Sequence, residues 1–130
     1  MNVDPIRKAI RDIPDFPSPG IVFKDITPVL GDPELFRLVI DIFAEHYAGK
    51  GIHRIAAVDA RGFILGAALA YKLGISLVPV RKKGKLPYEA VEVSYQLEYG
   101  EATLEIHVDA LVKGEKVLII DDLRGSLECR

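Results

Sequence analysis

A chain of 130 residues is the size of one domain, and 49% hydrophobic residues are enough to build a core. The formal net charge of −2 gives no reason to expect nucleic acid or another polyanion as partner. One cysteine, Cys129, excludes an internal disulfide, and no stretch has the length of a membrane span or the apolar core of a signal peptide, so the expectation is a cytoplasmic protein that leaves membranes alone.

Asp4-Pro5 opens a first helix, an acid at the N-cap and proline in the first turn, with Ile6, Ile10 and Ile13 on one face and Pro14 as the stop. Asp15-Phe16-Pro17-Ser18-Pro19-Gly20 is too rich in proline for helix or inner strand. It leads into a short extended arm, Ile21 to Pro28, which either covers a site or packs on the body. Asp32-Pro33 repeats the cap signal. Leu35, Leu38, Val39, Ile42, Phe43 and Tyr47 follow at helical spacing, and Gly49 or Gly51 ends that helix. His46 beside the stripe reads as structural or solvated.

Ile55 to Val58 is a short apolar strand, Asp59-Ala60-Arg61-Gly62-Phe63 a turn, and Ile64 to Leu73 a buried helix that Gly74 closes. A strand, a tight glycine turn and a helix make a phosphate-binding geometry, to which Arg61 adds a bidentate donor; an ordinary loop with a surface arginine has the same pattern. Ser76 to Val80 is the next strand. Arg81-Lys82-Lys83-Gly84-Lys85 lies beyond its carboxyl end, where ligands of open α/β sheets sit, and suits a pyrophosphate or nucleotide. Val91 to Leu97 and Ala102 to Val108 alternate as an antiparallel hairpin, with Glu98 and Tyr99 at or near its tip.

Val117 to Ile120 is an unbroken aliphatic run, the pattern of a strand buried on both faces of a parallel sheet. Asp121 and Asp122 follow at its carboxyl end. They either accept from two neighbouring hydroxyls, as on a ribose, directly or around a cation, or they cap the element. After Leu123, Arg124-Gly125-Ser126 holds too few small residues to open a phosphate-cradling helix.

Five motifs, PDFPSPGIVFKDITPVL from Pro14, VDARGF from Val58, VRKKGKLP from Val80, YQLEYG from Tyr95 and VLIIDDL from Val117, stand in the order and spacing of one family. The chain resembles the adenine phosphoribosyltransferases as far as Leu123. The resemblance implies an α/β fold of the type I phosphoribosyltransferase kind, a parallel sheet with flanking helices, an N-terminal hood and an inserted β-hairpin flap. It implies one domain over 1–130, with the hood arm at 1–30, the core at 51–123, the flap at about 86–108 and a divergent tail at 124–130.

The implied activity is transfer of phosphoribosyl from phosphoribosyl pyrophosphate to adenine, giving AMP and pyrophosphate in purine salvage, with Mg2+ accompanying the donor and a homodimer as the assembly. By the same resemblance Val22 and Lys24 belong to the adenine hood, Asp59-Ala60-Arg61-Gly62 to the pyrophosphate loop, and Arg81, Lys82 and Lys85 to the cations that hold pyrophosphate, partly across the dimer. Glu98 is the catalytic proton-transfer residue, Tyr99 its neighbour on the flap, and Asp121 and Asp122 hold the ribose hydroxyls; no residue is assigned as a resident metal ligand. Members of the family run from these acids into Leu-Ala-Thr-Gly-Gly-Thr, the cradle of the 5′-phosphate. Here Arg124-Gly125-Ser126 stands instead, which implies a C-terminally truncated or spliced form with part of the fold missing. The alternative function is then a catalytically inactive form that dimerises or binds purine weakly.

Overall fold

The computed structural model describes residues 2–16, 18–97 and 100–121, and for 93–97 and 100–102 the backbone alone. The chain divides into two compact units, Met1–Tyr47 and Ala48–Arg130.

In the first unit, helix α1 spans Asp4–Ala9 with proline in its first turn. Asn2, rather than Asp4, supplies the side-chain acceptor at this end: its Oδ1 takes the Asp4 N–H at 3.0 Å. The helix does not continue through Ile13. The chain turns extended at Ile10, and Arg11–Pro14 forms strand β1, antiparallel to β2 at Val22–Asp25, with Ile13 opposite Phe23. A six-residue helix is marginal by itself. The ribbon offers more: Phe16 meets Phe23 edge to face at 5.3 Å, Arg11 pairs with Asp25 at 3.0 Å and Lys24 with Asp12 at 2.6 Å.

Thr27 and Pro28 are helical rather than extended. They open α2, Thr27–Leu30, where Asp25 Oδ1 accepts from the Thr27 N–H at 3.0 Å and hydroxyl at 2.6 Å. Helix α3, Pro33–Tyr47, forms as its spacing requires, with Asp32 Oδ1 accepting from the N–H groups of Glu34 at 3.0 Å and Leu35 at 3.3 Å. Ile26, Val29, Ile40, Ala44 and Tyr47 are buried.

The second unit is a five-stranded sheet with one helix. Its elements are β3 (Arg54–Val58), α4 (Arg61–Leu73), β4 (Ser76–Lys82), β5 (Ala90–Leu97), β6 (Gly100–His107) and β7 (Val117–Ile120). The spatial order is β5-β6-β4-β3-β7, with β3 parallel to β4 and β7, and β6 antiparallel to β4 and β5. The sheet is therefore mixed: three parallel strands carry the inserted hairpin on one side. Gly74, at φ 70°, ends α4 in the left-handed conformation that favours glycine.

Ile55 and Ala57 sit opposite Leu118 and Ile120 on the face that α4 covers. Ile55, Leu69, Leu118 and Ile120 are fully buried there, each worth roughly 1.5–3 kcal/mol of apolar transfer. Gly66 lets the helix lie close: a Cβ on it would come within 2.6 Å of the Ala57 Cβ. The other face carries Ala56, Val58, Val80, Val117 and Ile119 and, with Leu104, Ile106 and Leu111, lines an apolar cavity of about 310 Å3. Val117 and Ile119 are half-buried, so the expectation of a strand buried on both faces is met on one face only. Among the described residues β7 pairs on one side, with β3. No helix among the described residues is long and apolar enough to cross a membrane.

Candidate active site

Parallel strands end together, so β3, β4 and β7 bring their carboxyl ends to one edge of the sheet. The alignment is set at the opposite ends. There the Lys116 N–H donates to His53 Nδ1 at 2.9 Å, the His53 N–H to the Lys116 carbonyl at 2.8 Å, and Lys116 Nζ to the Lys50 carbonyl at 2.7 Å. Arg54 Nε donates to Glu115 Oε1 at 2.6 Å, and the Val112 N–H donates to the same oxygen at 3.0 Å. With Arg54 opposite Val117, Ala57 falls opposite Ile120, and Asp121 emerges beside the end of β3.

Gly62 closes this edge. A Cβ there would lie 2.6 Å from the Ile120 carbonyl oxygen and 3.1 Å from the Asp121 Cα. The first turn of α4 thus rests on the backbone that ends β7, an approach open only to glycine. Arg61 is the first residue of α4. The N-cap, Ala60, offers no side-chain acceptor to the leading amides, and the positive end of the thirteen-residue helix opens on the same edge. The Asp59–Ala60 peptide bond is cis.

Arg81 and Lys82 are the last residues of β4, not a loop beyond it. The strand runs on because β6 pairs with it there, Glu105 opposite Arg81 and Leu104 opposite Lys82. Arg81 Nε donates to Asp59 Oδ2 at 3.5 Å, and the guanidinium carbon lies 5.9 Å from the Phe63 ring centroid. The Asp59 N–H donates to the Val80 carbonyl at 2.9 Å, carrying the β3–β4 ladder one residue further. Lys83 Nζ is paired with Glu92 Oε2 at 3.3 Å, and Glu105 Oε1 accepts from the Gly84 N–H at 2.8 Å. Lys82 and Lys85 are exposed and form no ion pair among the described residues.

The structure therefore brings Arg61, Arg81 and Asp121 to one edge, with Lys82 and Lys85 on the strand end and turn that follow Arg81. Val22 and Lys24 lie in the first unit. Val22 is 55% exposed and stands opposite Pro14, which has no N–H to donate to it; Lys24 is occupied by Asp12. Glu98, Tyr99, Asp122 and residues 123–130 lie outside the described residues. The sequence reading passed over Asp59 and Phe63 as individual residues. The available signal was an acid directly after a buried strand whose parallel neighbour ends in arginine.

A strand–turn–helix of this kind, beside a basic strand end and an acid-terminated parallel strand, is the arrangement of a phosphoribosyltransferase, and the family model of the phosphoribosyl transferase domain matches residues 28–126. The adenine phosphoribosyltransferase of Solidesulfovibrio magneticus is 63% identical over 121 residues, covering 93% of this chain and 71% of its own. The chain belongs to the adenine phosphoribosyltransferase family. The crystal structure of the adenine phosphoribosyltransferase from Thermoanaerobacter pseudethanolicus superposes with a TM-score of 0.89 at 52% identity, over 93% of this chain and 70% of that one. The Saccharomyces cerevisiae enzyme, complexed with an imino-altritol bisphosphate and adenine, superposes with a TM-score of 0.87 at 40% identity, over 92% of this chain and 70% of that one.

Proposed function

We propose that this chain transfers the phosphoribosyl group of phosphoribosyl pyrophosphate to adenine, releasing AMP and pyrophosphate. The observation that carries the reading is the cationic carboxyl edge of β3 and β4, where Arg81 is held beside the opening of α4. As the bond from the anomeric carbon to the pyrophosphate oxygen breaks, negative charge grows on the leaving group. Fixed cations there stabilise the transition state more than the ground state. Arg61, Arg81, Lys82 and Lys85 supply them. The adenine N9 forms the new bond, and Glu98 takes the imidazole proton. Asp121 and Asp122 accept from the ribose hydroxyls. Val22 presents backbone to the base edge within a hood stiffened by the Phe16–Phe23 pair and the Lys24–Asp12 bridge.

No three His, Cys, Asp or Glu side chains come together as a metal cage among the described residues. Magnesium would accompany phosphoribosyl pyrophosphate, where it would offset the charge of the leaving group, and Asp121 and Asp122 are the carboxylates that would meet it. A homodimer is proposed as the assembly on the ground of membership in the family. Purine salvage in the cytoplasm is the fitting context.

The test is AMP formation from adenine and phosphoribosyl pyrophosphate, read beside calorimetric binding of adenine and of pyrophosphate. AMP from adenine but not from guanine or hypoxanthine is the expected result. Turnover is expected to be slow, because Arg124-Gly125-Ser126 replaces the small-residue run that would cradle the 5′-phosphate. Binding of both ligands with no AMP would favour the inactive purine-binding alternative.

A further inference from the structure

An acid at the edge where a polyanion is to bind needs a reason, because it repels the ligand. Asp59 sits at this edge and is 11% exposed. Its side chain does not cap α4, and its carboxylate partner among the described residues is Arg81 Nε. A guanidinium carries five N–H donors in a rigid fork, and use of Nε–H leaves the four on the terminal nitrogens for a second anion. The Phe63 ring lies 5.9 Å from the same guanidinium carbon, a second constraint on its plane. Asp59 and Arg81 are also locked through the backbone, since the Asp59 N–H is bonded to the carbonyl of Val80, the residue before Arg81.

We infer that Asp59 is a positioning residue for Arg81: it holds the guanidinium by Nε so that the terminal nitrogens meet the pyrophosphate already ordered. This deepens the reading of the edge as a pyrophosphate site and rests on it. A long side chain loses rotamer freedom when it binds an anion, and a partner that restricts those rotamers beforehand lowers that cost. The repulsion is offset because the carboxylate is paired with the Arg81 guanidinium, whose charge neutralises it. The role lies in binding geometry, so Asp59 need not touch substrate.

The experiment is calorimetric titration of inorganic pyrophosphate into the full chain and into Asp59→Asn, Arg81→Ala and the double variant, with adenine as control ligand. Asp59→Asn is expected to weaken pyrophosphate binding about tenfold in the Arg81 background and to have no further effect once Arg81 is alanine. Adenine affinity should not move. The same loss in both backgrounds, or no loss at all, would overturn the positioning role while leaving the pyrophosphate site intact. Failure of the unaltered chain to bind pyrophosphate would overturn both. A measurement without any substitution guards against a variant that does not fold: the Arg81 Nε–H should exchange with solvent more slowly than that of free arginine. Equal exchange would overturn the inference.

Discussion

At the amino ends of β3 and β7 the polar groups are spent on one another: Arg54 on Glu115, the Lys116 amide on His53, the Lys116 ammonium on a carbonyl. The carboxyl ends of β3, β4 and β7 gather Arg61, Arg81, Lys82 and Lys85 against Asp59 and Asp121 among the described residues. The first end fixes register. The second inherits that register and spends it on a cationic edge. The difference teaches that stability and binding are separable here, because the two ends of the same strands carry them.

The largest expected effect breaks the binding end. Arg81→Ala should weaken pyrophosphate binding about a hundredfold, the scale of losing a charge-assisted bidentate contact, and should also lower the melting temperature, because it leaves the nearly buried Asp59 carboxylate without its partner. Arg54→Ala, at the other end, should lower the melting temperature and leave pyrophosphate affinity in place. If the two variants behaved alike in calorimetry, the separation would be wrong.

A smaller effect is expected at the glycines that bound α4. Gly62→Ala puts a Cβ against backbone at the end of β7, so the helix must shift, at about 1–3 kcal/mol. Arg61 would shift with it and pyrophosphate affinity should drop severalfold. Gly74→Ala meets open space but a left-handed φ of 70°, costing about 1 kcal/mol of stability with no change in binding. Denaturant melts and calorimetry on both variants sharpen the contrast within one helix.

Helix α3 was legible because Asp32-Pro33 and the apolar stripe agree, and α4 because Gly74 closes a run that opens at a glycine turn. Ile13 misled because its spacing from Ile6 and Ile10 is helical, while what decides its state is Phe23, ten residues on and invisible to local periodicity. Thr27-Pro28 read as extended for want of knowing that Asp25 would bond the threonine. The basic run was seen, but its place inside β4 follows from pairing with β6 across a long insertion. Val117 and Ile119 match the pattern of a doubly buried strand, and that pattern does not say which face a helix will cover. Asp59 is legible as the first residue of the glycine turn, but its pairing with Arg81 is not, because an ion pair between adjacent strand ends depends on strand order, which composition and spacing leave open.

Within the sheet, the hairpin should be looser than the parallel core. Among the described residues β5 and β7 both lie at an edge of the sheet, but Val91 of β5 is 51% exposed and β6 joins β4 at two register positions, whereas Leu118 of β7 is fully buried beside β3. Amides of β5 are expected to exchange at least about tenfold faster than those of β3 and β7. Equal protection would mean that the hairpin is as firmly built as the strands that carry the cationic edge.

The smallest effect is set by pH and tests the register end alone. The hydrogen bond from Arg54, and then the Val112 amide, hold Glu115 below its ordinary value of 4.5. In the first unit, the Thr27 hydroxyl and amide, and then Arg11, hold Asp25 below 3.8. A carboxyl whose folded pKa is depressed binds fewer protons folded than unfolded, so its contribution is complete above the unfolded value and is lost as pH falls through the folded one. For Glu115 the loss therefore begins near pH 4.5 and deepens below it. Both carboxyls are solvent-accessible, and the effect should be modest. The unaltered chain should lose melting temperature between pH 5 and 3, and Glu115→Gln should start lower and fall less steeply. Parallel curves for the two proteins would show that the Arg54–Glu115 bridge does not stabilise the amino end of the sheet.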